Sequence, residues 1–191
     1  MALGFYFDMT SCIGCRTCQT ACKDKNDLPL GVLFRTVHSY ETGSYPNADG
    51  YHWSASCNHC ENPECVRNCP TGAMYKSKEG VVLHNDEICI GCKTCVEKCP
   101  YSVPKYIEEI GIVQKCDSCV AFRQHGKNPA FVDACVMRCL DFGDLDELEA
   151  KYGGEFVQEL PCMPSAEKTN PSIRIKAKEC AKTQDFSRKY Y

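Results

Sequence analysis

No run of apolar residues approaches the length that crosses a bilayer in this 191-residue protein, so no segment reads as membrane-spanning. Residues 1–8 lack the basic start and apolar stretch of a signal peptide, and the protein is expected to be made in the cytoplasm without a leader of its own. An excess of positive charge is missing as well. With 22 Lys and Arg against 25 Asp and Glu the net charge is -3, whereas general nucleic-acid binding needs an electropositive footprint. Nor is there a serine-histidine-acid pattern, a glycine-rich phosphate loop or a pair of carboxylates set for acid-base work. No catalysis is therefore expected here.

Cysteine is what the sequence has in excess. Eighteen in 191 residues is a density at which something other than apolar packing holds a fold together. A secreted disulfide scaffold is the first alternative, but it would be shorter and follow a signal peptide. The cysteines fall instead into four groups, beginning at Cys12, Cys57, Cys89 and Cys116. The run Cys12, Cys15, Cys18, Cys22 lies without a gap over Cys89, Cys92, Cys95, Cys99, and Ile-Gly follows the first cysteine of both. This C-x2-C-x2-C-x3-C spacing, with Pro100 after the second copy, is a ferredoxin run. Three thiolates bind one iron-sulfur cubane and the fourth reaches another. Two-residue gaps let a tight loop wrap three corners of a cluster, and the three-residue step starts a helix that turns the last sulfur away. Gly14 and Gly91 lie inside those loops, where the missing Cβ lets backbone N–H groups approach the sulfides.

The second group, Cys57, Cys60, Cys65 and Cys69, has two extra residues before its third cysteine and keeps the C-x3-C-P ending at Pro70. A zinc site built from Cys57, Cys60, His59 and Cys65 is the rival, but structural zinc does not need the outlying Cys-Pro. His59 reads as a donor behind the ligands or an interface side chain. The fourth group opens with Cys116 and Cys119 and allows two frames. Spacing alone adds Cys135 and Cys139 and gives four quartets. The internal repeat, with Cys65–Cys69 placed over 131–135 and with Cys95–Cys99 in the same frame, puts Phe131 in the third-ligand place and Cys135 in the last, with Cys139 over Ala73. One cluster then keeps three cysteines.

Residues 3–7 and 80–84 read as short strands leading into cluster loops. The clearest helix covers 144–153, with Asp144 as N-cap, Leu145, Leu148 and Tyr152 on one face and Gly153 past the end. Residues 40–51 are rich in turn formers and aromatics and read as a surface loop. Cys162 and Cys180 stand outside every motif and are expected to be free thiols. Arg16 and Lys93, each following the second cysteine of a run, read as surface charges that could raise local potentials or meet a partner. In the last eighteen residues, Arg174, Lys176, Lys178, Lys182, Arg188 and Lys189 face only Glu179 and Asp185, a local +4 that reads as a solvated tail or a docking arm.

The four groups in order, together with Cys57-Asn58-His59-Cys60, Gly126-Lys127-x-Pro129, the stretch 140–144 (Leu-Asp-Phe-Gly-Asp) and the stretch 170–176 (Asn-Pro-Ser-Ile-Arg-Ile-Lys), resemble the iron-sulfur subunit of dimethyl sulfoxide reductase and its relatives, over nearly the whole sequence. The resemblance implies an electron-transfer subunit. Its partners would be a large molybdopterin catalytic subunit and a membrane anchor subunit or other electron donor, with this protein peripheral to the cytoplasmic membrane. Exported members of the family travel with a catalytic partner that carries a twin-arginine signal, so the side of the membrane stays open. The resemblance also implies a nested pairing: Cys57, Cys60, Cys65 and Cys99 on one cluster, Cys69, Cys89, Cys92 and Cys95 on the next, Cys12, Cys15, Cys18 and Cys135 on a third. Cys22, Cys116 and Cys119 are left for the fourth. Family members commonly have cysteine at Phe131 and proline at Val136.

Three of the four clusters are expected to be 4Fe-4S, while the fourth is open between 4Fe-4S, 3Fe-4S and an empty site, with Cys139 a candidate extra ligand. The expected fold class is α+β, with two ferredoxin-like units of short strands, short helices and many loops. Residues 1–30 with 105–145 would form an outer unit and 52–104 an inner one, with 31–51 a surface insertion and 146–191 a helix and C-terminal docking extension. A stand-alone soluble polyferredoxin and a redox-silent zinc adaptor are the competing classes.

Overall fold

The computed structural model describes residues 2–190. Its first half runs β1 (Leu3–Asp8), α1 (Thr17–Lys25), β2 (Thr36–Thr42), β3 (Asp49–Ala55), α2 (Glu64–Arg67), β4 (Met74–Lys76), β5 (Val82–His84) and α3 (Thr94–Lys98). The second half runs β6 (Lys105–Ile107), β7 (Ile112–Gln114), α4 (Val120–Gln124), α5 (Ala130–Asp133), β8 (Leu140–Asp144), α6 (Leu145–Tyr152), β9 (Ile173–Lys176) and β10 (Ser187–Lys189). The mixture of small sheets and short helices is α+β. Helices of four or five residues are too short to hold themselves. They persist because the loops around them are fixed at both ends.

β1 is buried on both faces, with Phe5, Tyr6 and Phe7 all inside, and it is the middle strand of the sheet β8-β1-β9. It runs antiparallel to β8, with Phe5 opposite Phe142, and parallel to β9, with Phe7 opposite Ile175. The hairpin β2-β3 is extended by β10, and the pairs β4-β5 and β6-β7 are separate ribbons. The main apolar core joins Phe5, Phe7, Met9, Trp53, Leu140 and Ile175 to Cys18, Cys22, Cys57, Cys116 and Cys135. A second cluster joins Met74, Val82 and Val113 to Cys65 and Cys95. Whatever the cysteines hold is thus part of what the core packs around.

The expected helix lies where its caps put it. Asp144 Oδ1 accepts from the N–H groups of Asp146 at 3.1 Å and Glu147 at 3.3 Å, and Oδ2 accepts from Ala2 at 3.1 Å. Leu145 and Leu148 are buried, and Tyr152 stacks on Tyr6 at 3.7 Å. The expected strand at 80–84 is shortened to β5, because positive-φ Gly80 belongs to the turn after β4.

Two expectations differ from the structure. The stretch 31–51 is not a surface insertion: β2 and β3 place Tyr40 and Tyr51 in the core, stacked at 5.0 Å, and exposure falls on Gly31, Glu41 and the turn at 43–49. Alternation along β2 is hidden by its mixed polarity, since Ser39 and Thr42 are buried as well as Val37 and Tyr40. The basic C-terminal stretch is neither a loose tail nor a free arm. Ile173 and Ile175 of β9 are buried, and its cations are met within the same molecule: Lys176 by Asp8 at 3.6 Å, Lys178 by Asp49 at 2.7 Å, Lys189 by Glu41 at 2.8 Å and Arg174 by Glu149.

Candidate metal centres

The two ferredoxin runs adopt the same backbone. In each, a glycine with positive φ (Gly14 at 69°, Gly91 at 66°) is followed by a left-handed residue that starts the helix (Arg16 at 64°, Lys93 at 62°). A Cβ at Gly14 would come within 2.6 Å of the His52 ring, so glycine is required there by space as well as by φ. The third cysteine of each run then enters the helix and is buried, Cys18 on α1 and Cys95 on α3. The second stays exposed at the loop tip, Cys15 and Cys92. A threonine two residues on meets each exposed sulfur, Thr17 Oγ1 to Cys15 at 3.3 Å and Thr94 Oγ1 to Cys92 at 3.4 Å. Arg16 is half-buried, and Lys93 is exposed with its ammonium 3.8 Å from the centre of the Tyr106 ring.

Three cavities follow from these loops. One is lined by Cys57, Cys60, Cys65 and Cys99, and one by Cys69, Cys89, Cys92 and Cys95. The third is lined by Cys12, Cys15, Cys18, Cys135 and Cys139. Among the described residues no three His, Cys, Asp or Glu side chains are gathered closely enough to hold a single metal ion. The sulfurs stand around a space. That arrangement suits a multi-iron group and not a zinc ion, whose ligands lie about 2.3 Å from one centre.

Burial pushes the Cys60 and Cys65 thiols up to about 12 and the Cys95 thiol up to about 11. Such groups become thiolates on binding metal, which supplies the positive charge and releases the protons. Backbone donors are in place too, Met74 N to Cys69 Sγ at 3.5 Å and Ser118 N to Cys116 Sγ at 3.4 Å. The donor set and the space around which it stands fit iron-sulfur groups.

His59 is neither ligand nor interface. It is fully buried, its Nδ1 accepts from Val82 N at 3.0 Å, and burial holds the ring well below its usual pKa, hence neutral. Cys162 and Cys180 lie apart from these three cavities as free thiols packed against the main core; Cys180 Sγ is 3.8 Å from Gly50 O.

The fourth group is different. Cys22, Cys116 and Cys119 are all buried, and after the larger effect of burial the neighbouring sulfurs raise the Cys22 and Cys116 thiols further. The third-ligand place holds Phe131. Pro63 before α2 and Pro129 before α5 start equivalent four-residue helices, and the second residue is Cys65 in one and Phe131 in the other. Cys65 lines its cavity; the Phe131 ring is buried in the matching position with the Arg35 guanidinium 4.0 Å above it.

Cys139 stands away from this group. Its sulfur is 3.4 Å from that of Cys135, in the cavity of Cys12. The hydrogen bond between Cys139 and Cys12 lowers the Cys12 thiol to about 7 and raises that of Cys139. In that cavity Cys12, Cys15, Cys18 and Cys135 already make four sulfurs, and Cys139 is a fifth. Cys139→Ala is accordingly expected to leave iron and sulfide content unchanged, while Cys135→Ala lowers both. Equal losses in the two variants, measured on anaerobically purified protein, would return Cys139 to the ligand set.

Three residues of the site escaped the sequence reading. Arg35 is one; its signal is a charged side chain in register with buried Val37 and Ser39. Ser54 on β3 bridges Arg35 and Cys18. Lys115 is buried with its ammonium on the carbonyls of Cys116, at 2.7 Å, and Val82.

Comparison with known proteins bears on the same residues. A family model described as a 4Fe-4S dicluster domain matches residues 48–145. One component polypeptide of the anaerobic dimethyl sulfoxide reductase of Haemophilus influenzae is 43% identical over 188 residues, covering 94% of the present sequence and 91% of its own length. The polypeptide of the same description from Escherichia coli K12 is 42% identical over 181 residues, covering 91% and 87%. A component polypeptide of a sulfite dehydrogenase of Allochromatium vinosum is 33% identical over 171 residues, covering 78% and 71%.

Proposed function

The protein belongs to the family of iron-sulfur electron-transfer subunits that includes those of the anaerobic dimethyl sulfoxide reductases, a non-catalytic member of an oxidoreductase complex, and from that premise we propose that it relays single electrons through four centres between a quinol-handling membrane partner and a molybdopterin catalytic subunit. One observation carries the reading. Each cysteine group is joined to the next, and the first and last groups of that succession each carry an exposed cysteine while the two between them carry none.

Cys18 and Cys22 share α1 and so join the Cys12 group to the Cys22 group. Cys116 and Cys57 lie near enough to interact electrostatically, which joins the Cys22 group to the Cys57 group. Cys65 on α2 is followed closely by Cys69, and Cys95 on α3 is followed at once by Cys99, joining the Cys57 group to the Cys89 group. At one end Cys15 is exposed, in a loop with exposed Ile13 and near exposed Met137; at the other Cys92 is exposed close to Ile88 and Ile90. Exposed apolar side chains at both ends of a relay suit partner docking. When bound, iron-sulfur groups supply one-electron oxidation and reduction at potentials within roughly -700 to +450 mV. The protein's own residues space those groups, bury the middle ones from water and set N–H and O–H donors on their sulfurs.

In this reading Cys12, Cys15, Cys18 and Cys135, Cys57, Cys60, Cys65 and Cys99, and Cys69, Cys89, Cys92 and Cys95 hold 4Fe-4S groups. Cys22, Cys116 and Cys119 hold a 3Fe-4S group, because Phe131 fills the place of the fourth thiolate and Cys139 is committed elsewhere. Among the described residues no helix is long and apolar enough to cross a membrane, so in this reading contact with the membrane is made through the partner. Iron and sulfide analysis with electron paramagnetic resonance, on protein purified anaerobically with the polypeptides that accompany it, tests all of this. About fifteen irons per molecule, a three-iron signal on oxidation and a molybdenum-containing companion are expected. Zinc without sulfide would sink the centres, and a lone monomer would leave a soluble polyferredoxin.

A further inference from the structure

Arg35 is a buried cation with no anion. Its residue is 3% exposed, and among the described residues no carboxylate pairs with it and its Nη2 has no hydrogen-bond partner. Nη1 is occupied, donating to Ser54 Oγ at 2.9 Å and Ser54 O at 3.3 Å. An arginine held away from water with neither counter-charge nor a full set of acceptors is strongly disfavoured. Something that accepts hydrogen bonds and carries negative charge therefore belongs beside it. Thiolate-ligated iron-sulfur groups are both.

The surroundings narrow the choice of site. The guanidinium lies 4.0 Å from the centre of the Phe131 ring and 5.7 Å from that of Phe5. The Phe131 ring occupies the third-ligand place of the three-cysteine group, and the N–H of the preceding residue, Ala130, meets the Cys119 sulfur. Arg35 thus covers the corner where that group lacks a thiolate. On its other side Ser54 Oγ is 3.4 Å from Cys18 Sγ, so the contact to the neighbouring Cys12 group runs through Ser54 and uses Nη1. The remaining nitrogen, Nη2, is the one left for the Cys22, Cys116 and Cys119 group.

We propose that Arg35 takes the part of the missing fourth ligand at the three-cysteine site, not by binding iron but by donating from Nη2 to sulfide at the open corner, and that its charge sets that centre's reduction potential above what the three thiolates alone would give. The inference rests on the electron-relay reading and deepens it at one site. A fixed positive charge beside a centre that gains an electron favours the reduced form. Lysine at the same place would keep the charge but not the planar fork that reaches Ser54 and the corner together.

The test is a potentiometric titration, followed by electron paramagnetic resonance, of the wild-type complex and of Arg35→Met and Arg35→Lys. Arg35→Met is expected to raise the oxidised-to-reduced ratio of the three-iron centre at a fixed potential at least tenfold, which is about 59 mV downward for one electron. Arg35→Lys is expected to raise it about threefold and decides the matter if the methionine variant does not fold. The other three centres should titrate as in wild type. A three-iron centre unmoved within twofold in the variants that fold, or a shift confined to another centre, overturns the role of Arg35 while leaving the relay intact. About twelve irons in the wild type would mean that the three-cysteine site holds nothing, and both the nuclearity reading and this inference would fall.

Discussion

Phe131→Cys raises the iron content of the anaerobically purified protein by about one atom, from about fifteen to about sixteen, and abolishes the three-iron signal of the oxidised protein. The expectation rests on α5 being a copy of α2. Both start after a proline, both are four residues long, and the second residue of each is buried against a cysteine group. Truncating a buried phenylalanine to a small side chain costs about 3–5 kcal/mol when nothing replaces it. Here the new thiolate and a fourth iron replace it, so the variant keeps its fold only when loaded. Spectra and iron counts identical to wild type would mean that residue 131 does not face the site.

Removal of iron by a chelator under reducing conditions is expected to abolish the tertiary fold. A bound structural metal group contributes folding free energy on the order of 10 kcal/mol, because its ligands are tied together only in the folded state. A domain's whole stability is about 5–15 kcal/mol. The apolar core cannot compensate, because its largest cluster is built through Cys18, Cys22, Cys57, Cys116 and Cys135. Loss of near-ultraviolet circular dichroism with binding of a hydrophobic dye would meet the expectation. A stripped protein that keeps a sharp, cooperative thermal transition would show that the packing around β1 suffices.

The cysteine loops were legible because their geometry is local. Two-residue spacings and a glycine fix the loop whatever surrounds it, and Gly14 and Gly91 adopt matching backbones. The helix α6 was legible for the same reason, since Asp144 and Gly153 mark its ends. What was hidden is long-range. The β2-β3 hairpin buries Ser39, Thr42 and Ser54 beside aromatics, so its pattern does not alternate in polarity. The pairing of β9 with β1 joins the two ends of the sequence and leaves no local trace. Arg35 was hidden because a buried charge contradicts composition rules unless its counter-charge is known.

The nesting of the cysteine groups carries a consequence for biogenesis. In the proposed ligand sets, the Cys69 to Cys95 set closes over the shortest stretch of sequence and the Cys57 to Cys99 set over the next, while the set that starts at Cys12 waits for Cys135, and β1 waits for its partner β9 at Ile173–Lys176. Loop closure is easier for the shorter span, and domains emerge from the ribosome in order. Loading therefore starts in the middle and ends with the outermost group. Until Cys135 has emerged, Cys12, Cys15 and Cys18 lack their fourth partner and stay open to oxidants, so a nascent or truncated polypeptide is most vulnerable at the very loop that, once finished, presents one terminus of the wire.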